Sequence, residues 1–282
     1  MTSPLPKVIF HDADGCLNDP SGEEFSTGDL GTLTLKQGAS LREFGHLIDD
    51  LGITLILNTG RNFWDVRHIA EGLECDHLRY ALLEHSAYAW DFEKNHEVDL
   101  HAMAIDLHNV ELSQRYGKMK TIEKLILWYQ SEGHHFLTER MGQEAPKALN
   151  KRSNLSIEVP KGWTPPELME ALREVVQAYF VDGMCETLQY CHSNFFVDIL
   201  GPIHKSDGAK LFLEHLNFSA SDALVVGDGM NDLDMFTQDW PHLICPANSY
   251  EILKRKCRDL GGEVSDQFYG LASRRYLEER VI

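Results

Sequence analysis

The chain has 282 residues, 43% of them hydrophobic, which suits one large or two medium globular domains with a sizeable core. A formal net charge of -18 makes the surface acidic and argues against non-specific binding to nucleic acid or an anionic membrane, both of which need basic patches. The six cysteines, Cys16, Cys75, Cys185, Cys191, Cys245 and Cys257, form no C-x-x-C pair and no zinc spacing, and read as scattered reduced thiols.

In chain order, residues Met1 to Lys7 carry no apolar signal-peptide core, and no apolar run approaches the ~18–20 residues that span a bilayer. The expectation is a soluble cytoplasmic protein. Val8–Phe10 is a short buried strand that breaks into Asp12-Ala13-Asp14-Gly15. Asn18 to Gly38 is a polar, Gly-rich loop or flap, with a hairpin near Thr32–Leu35. Leu41, Phe44, Leu47, Ile48 and Leu51 keep a helical period. Ile53–Leu57 is a second strand, which runs through Asn58 into Thr59-Gly60-Arg61, followed by a helix over Phe63–Gly72 and a strand over Tyr80–Leu83.

The middle is of another kind. Thr121–Tyr129 and Pro165–Phe180 read as helices, the second opened by two prolines where missing N–H groups do least harm. His135–Thr138, Leu155–Val159, Leu188–Tyr190 and Phe195–Leu200 read as strands, and Glu139 to Asn154 as a long polar loop. The strand–helix alternation then resumes, with a helix over Ala209–Leu216, a strand over Ala223–Val226, a helix beginning at Leu233–Phe236 and a strand over His242–Cys245. The ends therefore predict an α/β core with a doubly wound parallel sheet over 1–83 and 202–282, and the middle an α+β insertion over 84–201.

Four groups fall at the carboxyl ends of strands, where doubly wound folds bind ligands. They are Asp12 with Asp14, Thr59-Gly60-Arg61, Lys205, and Asp228 with Asp232. Two carboxylates side by side repel unless a cation or a shared proton offsets them. Asp12 and Asp228 suit Mg2+, which takes a few carboxylates and keeps waters and substrate oxygens. An Asp held beside a metal is a workable nucleophile towards phosphorus. Thr59 and Lys205 offer a hydroxyl and an ammonium to the charged phosphoryl oxygens, and Asp14 a second carboxyl for proton transfer.

Taken singly each group is weak. Asp-x-Asp-Gly is also turn chemistry, Thr59 is also a helix N-cap, and Lys210 competes with Lys205. Asp228-Gly229-Met230-Asn231-Asp232 lacks the distal Glu of an EF-hand. In order, each behind a strand, they specify a site together.

With these motifs the sequence resembles the haloacid dehalogenase (HAD) superfamily phosphatases. Asp12-Ala13-Asp14-Gly15, Thr59-Gly60-Arg61, Lys205 and Gly227-Asp228-Gly229-Met230-Asn231-Asp232 match its four motifs in order. The insertion between the second and third motifs, and Ile244-Cys245-Pro246-Ala247-Asn248 after the fourth, resemble the C2-capped, Cof-like and phosphosugar phosphatase branch. The resemblance implies a Rossmann-like core with a C2-type cap. It implies Asp12 as the nucleophile that becomes an aspartyl-phosphate, and Asp14 as acid and base with its carbonyl on Mg2+. Thr59, Gly60, Arg61, Lys205 and Asn231 would hold the phosphoryl group, Asp228 the metal, with Asp232 behind it. Cys16 stands where the family usually has Thr, a position read as mainly structural, and His11 stands where an apolar residue is usual.

The implied substrate is a small phosphorylated metabolite: a sugar phosphate, or a phosphorylated glycoside such as mannosyl- or glucosyl-3-phosphoglycerate or a disaccharide phosphate. In the cap, Arg140, Lys147, Lys151 and Arg152 are either a solvated loop or the surface that reads the leaving group. A phosphosugar mutase using the same aspartyl-phosphate and a non-catalytic phosphometabolite-binding protein are the other readings.

Overall fold

The computed structural model describes residues 4–17, 34–35, 39–180, 187–193 and 195–281. Most of the expected flap over 18–38, and Cys185, lie outside them. In chain order the first elements are β1 Val8–His11, β2 Thr34–Leu35, β3 Ala39–Ser40, α1 Leu41–Leu51, β4 Thr54–Asn58, α2 Phe63–Leu73, β5 Leu78–Leu83, β6 Tyr88–Asp91 and β7 His96–Val98. Then come α3 Leu100–Asp106, α4 Val110–Gly117, α5 Lys120–Trp128, a π-helical turn Tyr129–Gly133, α6 His134–Met141, β8 Asn154–Glu158, α7 Pro165–Tyr179, β9 Gln189–His192 and β10 Phe196–Leu200. The last are α8 Lys205–His215, β11 Ala223–Val226, β12 His242–Cys245, α9 Glu251–Asp259, β13 Glu263–Val264 and α10 Gly270–Val281.

Every residue of β1 is buried, as a strand covered on both faces must be. It pairs in parallel with β4 on one side and β11 on the other, so that Ile9 lies between Leu55 and Leu224. The sheet order is β13-β12-β11-β1-β4-β5-β6-β7. The chain leaves β1 in one direction along the sheet and returns on its other side. The carboxyl end of β1 is thus a topological switch point, where α/β sheets open a crevice. On α1, Leu41, Phe44 and Ile48 turn inward at helical spacing and are wholly buried, each contributing roughly 1.5–3 kcal/mol relative to exposure.

Two compact units result, Met1–Met103 with His204–Ile282, and Ala104–Ile203. The expected boundary at Glu84 falls inside the first unit. Glu84, His85 and Ser86 take three successive left-handed conformations (φ 45, 62 and 66°), which turn the chain back so that β6 pairs antiparallel with β5 and β7 antiparallel with β6, extending the core sheet. Sequence reading missed both strands, along with α3, α4 and α10.

In the second unit β8, β10 and β9 form an antiparallel sheet. Leu155 and Ile157 face the same side as Ile199 and Val197, and pack with Leu125, Leu168 and Leu172. On β8 the alternate residues Asn154, Ser156 and Glu158 are polar, and Asn154 donates from Nδ2 to Asp198 Oδ1 on β10 at 2.8 Å. His135–Thr138, expected as a strand, lies in α6. The helix continues through the π-turn because Tyr129, Gly133 and Leu137, four residues apart, are all buried. The expected loop therefore begins only at Gly142, left-handed at φ 67°. In the first unit, the helix expected from Leu233 is a 3-10 turn at Met230–Asp232 followed by turns that bury Met235 and Phe236. No helix among the described residues is long and apolar enough to cross a membrane.

Candidate active site

Lys205 occupies the first turn of α8, which begins four residues earlier than expected because the Asp207 carboxylate accepts from His204 N at 2.8 Å. Its ammonium is wholly buried between two carboxylates, 2.8 Å from Asp12 Oδ1 and 2.7 Å from Asp232 Oδ1. Burial opposes its charge, but Asp12 and Asp232 outweigh burial and hold it protonated, well above the ordinary lysine range. Asp232 also accepts at Oδ2 from the backbone N–H groups of Asp228 (3.0 Å) and Gly229 (2.9 Å). It thereby fixes both Lys205 and the loop after β11. Lys210, the competing lysine, is exposed and paired with Asp239.

Asp12 follows β1 and is 3% exposed. Burial, with the charge of Asp232 adding and that of Lys205 opposing, pushes its carboxyl up to about 8. Burial likewise pushes Asp228 well above the usual carboxylate range, helped by Asp232 and Asp12. Among the described residues Asp228 has no cationic partner, and its one side-chain donor is the Cys16 thiol at 3.5 Å. Ligand atoms of Asp12, Cys16 and Asp228 lie within 4.8 Å of one another. Two carboxylates that burial drives toward protonation call for a positive charge, and their oxygens fit a hard divalent cation. Both oxygens of Asp232 are engaged, which leaves it supporting this group from behind.

The turn after Asp12 depends on Gly15, at φ 73°: a Cβ there would lie 2.1 Å from Asp228 Oδ2. The Gly15 carbonyl accepts from Asn248 Nδ2 at 2.7 Å, tying this turn to the segment after β12. Asp14 receives a two-pronged bond from Arg61, Nε to Oδ2 at 2.7 Å and Nη2 to Oδ1 at 2.5 Å. Arg61 lies beyond β4, and its backbone N–H donates to Thr59 Oγ1 at 3.2 Å. Gly60 keeps this loop against His85, where a Cβ would meet Nε2 at 2.7 Å.

A further layer holds these groups. Asn58 donates to the Lys205 carbonyl at 2.9 Å and accepts from Ser86 Oγ at 3.0 Å, so the β5–β6 turn buttresses the start of α8. Asp234 accepts from Ser206 N at 2.8 Å. His11, wholly buried, bonds through Nδ1 to the Asp12 carbonyl (2.7 Å) and through Nε2 to Ser273 Oγ (2.8 Å). A carbonyl only accepts, so Nδ1 carries the proton and Nε2 accepts from the hydroxyl. Burial drives this imidazole down to about 4 and keeps it neutral. Sequence reading missed Asn58, Ser86 and Asp234; an Asn closing an apolar strand was the one visible signal.

The core residues expected from the sequence thus converge. Asp12, Asp14, Thr59, Gly60, Arg61, Lys205, Asp228, Asn231 and Asp232 all lie at or just beyond the carboxyl ends of β1, β4 and β11 or at the start of α8. The four basic residues of the second unit have different settings. Arg140 is exposed and bonded to Glu174 at 2.5 Å, which ties α6 to α7. Lys147 and Arg152 are exposed, and Lys151 lies half-buried 3.7 Å from Asp198.

The family model for haloacid dehalogenase-like hydrolases matches residues 31–266. The chain belongs to that family. The matched span begins after Asp12 and Asp14, so their place in this hydrolase rests on the geometry above. No curated protein matches the sequence. Among solved structures the hydrolase is similar to the sucrose-phosphatase from Synechocystis sp. PCC6803, in complex with sucrose and phosphate, at TM-score 0.60 and 17% identity over 100% of this chain and 99% of that one. A Thermoplasma acidophilum protein gives TM-score 0.63 and 15% identity over 98% and 99%. A haloacid dehalogenase-like hydrolase from Bacteroides thetaiotaomicron gives 0.60 and 15% over 98% and 100%. These likenesses establish the fold: a Rossmann-like α/β core with an inserted α+β cap.

Proposed function

We propose that this hydrolase is a Mg2+-dependent phosphomonoesterase that works through an aspartyl-phosphate on Asp12. The observation that carries this reading is the buried Lys205 bridging Asp12 and Asp232 beside the cation-free Asp228. Asp12 and Asp228 would hold Mg2+, which when bound supplies positive charge that ionises the carboxylates and offsets charge on the phosphoryl oxygens. An oxygen of Asp12 attacks phosphorus, and the bond to the leaving oxygen breaks. Asp14 gives that oxygen a proton, then takes one from the water that attacks the aspartyl-phosphate and frees inorganic phosphate. Lys205 and the Thr59 hydroxyl stabilise the equatorial oxygens.

The Arg61–Asp14 pair adds a condition. Both oxygens of the Asp14 carboxyl are engaged by the guanidinium, which leaves neither turned to a leaving-group oxygen. Asp14 must leave Arg61 before it acts, and an incoming phosphate dianion competes for the same guanidinium. Arg61 thus passes from Asp14 to the substrate as the phosphoryl group arrives.

The substrate class we propose is a sugar phosphate or phosphorylated glycoside. Its support is the fold-level likeness to a phosphatase that holds sucrose and phosphate. The test is release of inorganic phosphate from a panel of sugar phosphates and phosphorylated glycosides, with Mg2+ and with EDTA. Release that needs Mg2+ and disappears in Asp12→Asn is expected. An Asp12→Asn variant with full turnover sinks the nucleophile assignment. Isomerised sugar phosphate without free phosphate would show a mutase instead.

A further inference from the structure

We propose that Cys16 gives the cation site of this hydrolase a sulfur ligand, so that Asp12, Asp228 and Cys16 together take a thiophilic divalent cation such as Zn2+ in competition with Mg2+. This rests on the placement of a divalent cation between Asp12 and Asp228 proposed above. Cys16 Sγ lies 3.5 Å from Asp228 Oδ1, and all three ligand atoms fall within 4.8 Å of one another. Tetrahedral zinc, with ~2.3 Å to sulfur and ~2.0 Å to oxygen, holds its S and O ligands about 3.5 Å apart. A thiol–carboxylate hydrogen bond has the same length, so a second observation is needed. It is the setting of the Asp228 carboxyl, whose one side-chain donor among the described residues is that thiol. Lys205 is committed to Asp12 and Asp232, and among the described residues no other cation reaches Asp228.

The thiol is held in place. Leu17 N bonds the Ala13 carbonyl at 2.9 Å, Asn248 bonds the Gly15 carbonyl at 2.7 Å, and Gly15 allows no side chain toward Asp228. Cys16 is 0% exposed. A dication reverses the sign of the local field. The S–H bond then breaks, a bond from sulfur to the cation forms, and one proton passes to the buffer with no change of oxidation state. Mg2+ gains little from sulfur because it prefers oxygen, whereas Zn2+ and Co2+ accept a mixed donor set. The residue after Gly15 thus alters which cation the site prefers.

The test uses full-length, metal-stripped protein titrated with Co2+. The expected result is a near-ultraviolet thiolate-to-cobalt absorption band that Zn2+ abolishes by displacement. The band should vanish in Cys16→Ser and, to exclude the other thiols, in Asp228→Asn, with Zn2+ affinity down roughly 10-fold or more in each. Zinc binding should release one proton more from the parent protein than from Cys16→Ser. No band in the parent protein, or equal Zn2+ affinity with and without Cys16, overturns the proposal. The parent spectrum keeps the test valid even where a variant misfolds. Mg2+-dependent phosphate release without the band leaves the phosphatase reading standing and removes this one; the band without phosphate release does the reverse.

Discussion

Replacing Lys205 by Met would leave Asp12 and Asp232 buried with no cation between them. The ammonium lies 2.8 and 2.7 Å from their oxygens, so at an effective dielectric constant of ~20 each contact carries about 6 kcal/mol of gross attraction. Burying the ammonium and holding two like charges close offset much of that sum. Asp232 also keeps its two backbone N–H bonds after the change. Removing one partner from a buried charge group costs ~3–5 kcal/mol, and that is the expected loss for Lys205→Met. The assay is urea unfolding at pH 9.0 in EDTA, above the value of about 8 for Asp12, followed by far-ultraviolet circular dichroism, with the loss read as a lower midpoint at unchanged slope. The same change made in an Asp12→Asn background should be cheaper by ~0.5–3 kcal/mol, because one of the stranded charges is already gone. A loss below ~1 kcal/mol, or an equal loss in both backgrounds, would refute the claim that Lys205 neutralises this pair.

His11 gives the pH dependence. Its folded value of about 4 lies below the unfolded 6.5, so the unfolded chain binds more protons in between. Its contribution is fully present above 6.5 and is lost as pH falls through about 4, amounting to ~2 kcal/mol already by pH 5. The parent protein should therefore lose that much more than His11→Gln between pH 7.5 and 5.0 in urea melts; parallel curves would contradict it. Arg61→Gln should lower kcat/KM for phosphate release ~100-fold or more and weaken inhibition by inorganic phosphate, and unchanged kinetics would remove Arg61 from the site. In the second unit, Thr164 and Glu167 form a capping box at the start of α7, with Glu167 Oε2 accepting from Thr164 N at 2.8 Å. Thr164→Ala should destabilise that unit by ~1 kcal/mol in thermal or urea unfolding, and no change would show the cap to be idle.

The strand ends were legible because their signal is local. A buried parallel strand reads as an apolar run, and carboxylates where it stops have no structural reason to be there, so Asp12, Asp14, Asp228 and Asp232 stood out. The cap was read less well. His135–Thr138 is too short to show a period by itself, and only the buried series Tyr129, Gly133 and Leu137 reveals the helix. Strands β6 and β7 escaped because non-glycine residues take the left-handed turn that leads from β5 into them, which neighbours in space must stabilise.

Residue order alone therefore specified the α/β core, the polarity of its strands and the side chains delivered to their carboxyl ends. Periodicity, glycine placement and strand breaks act within a few residues and remain visible in one dimension. The partners were decided by tertiary structure: Arg61 on Asp14 from 47 residues away, Cys16 on Asp228 from 212, Lys205 between Asp12 and Asp232. Charge pairing and desolvation depend on distance in space, and chain order carries no record of that distance until the sheet brings β1, β4 and β11 side by side.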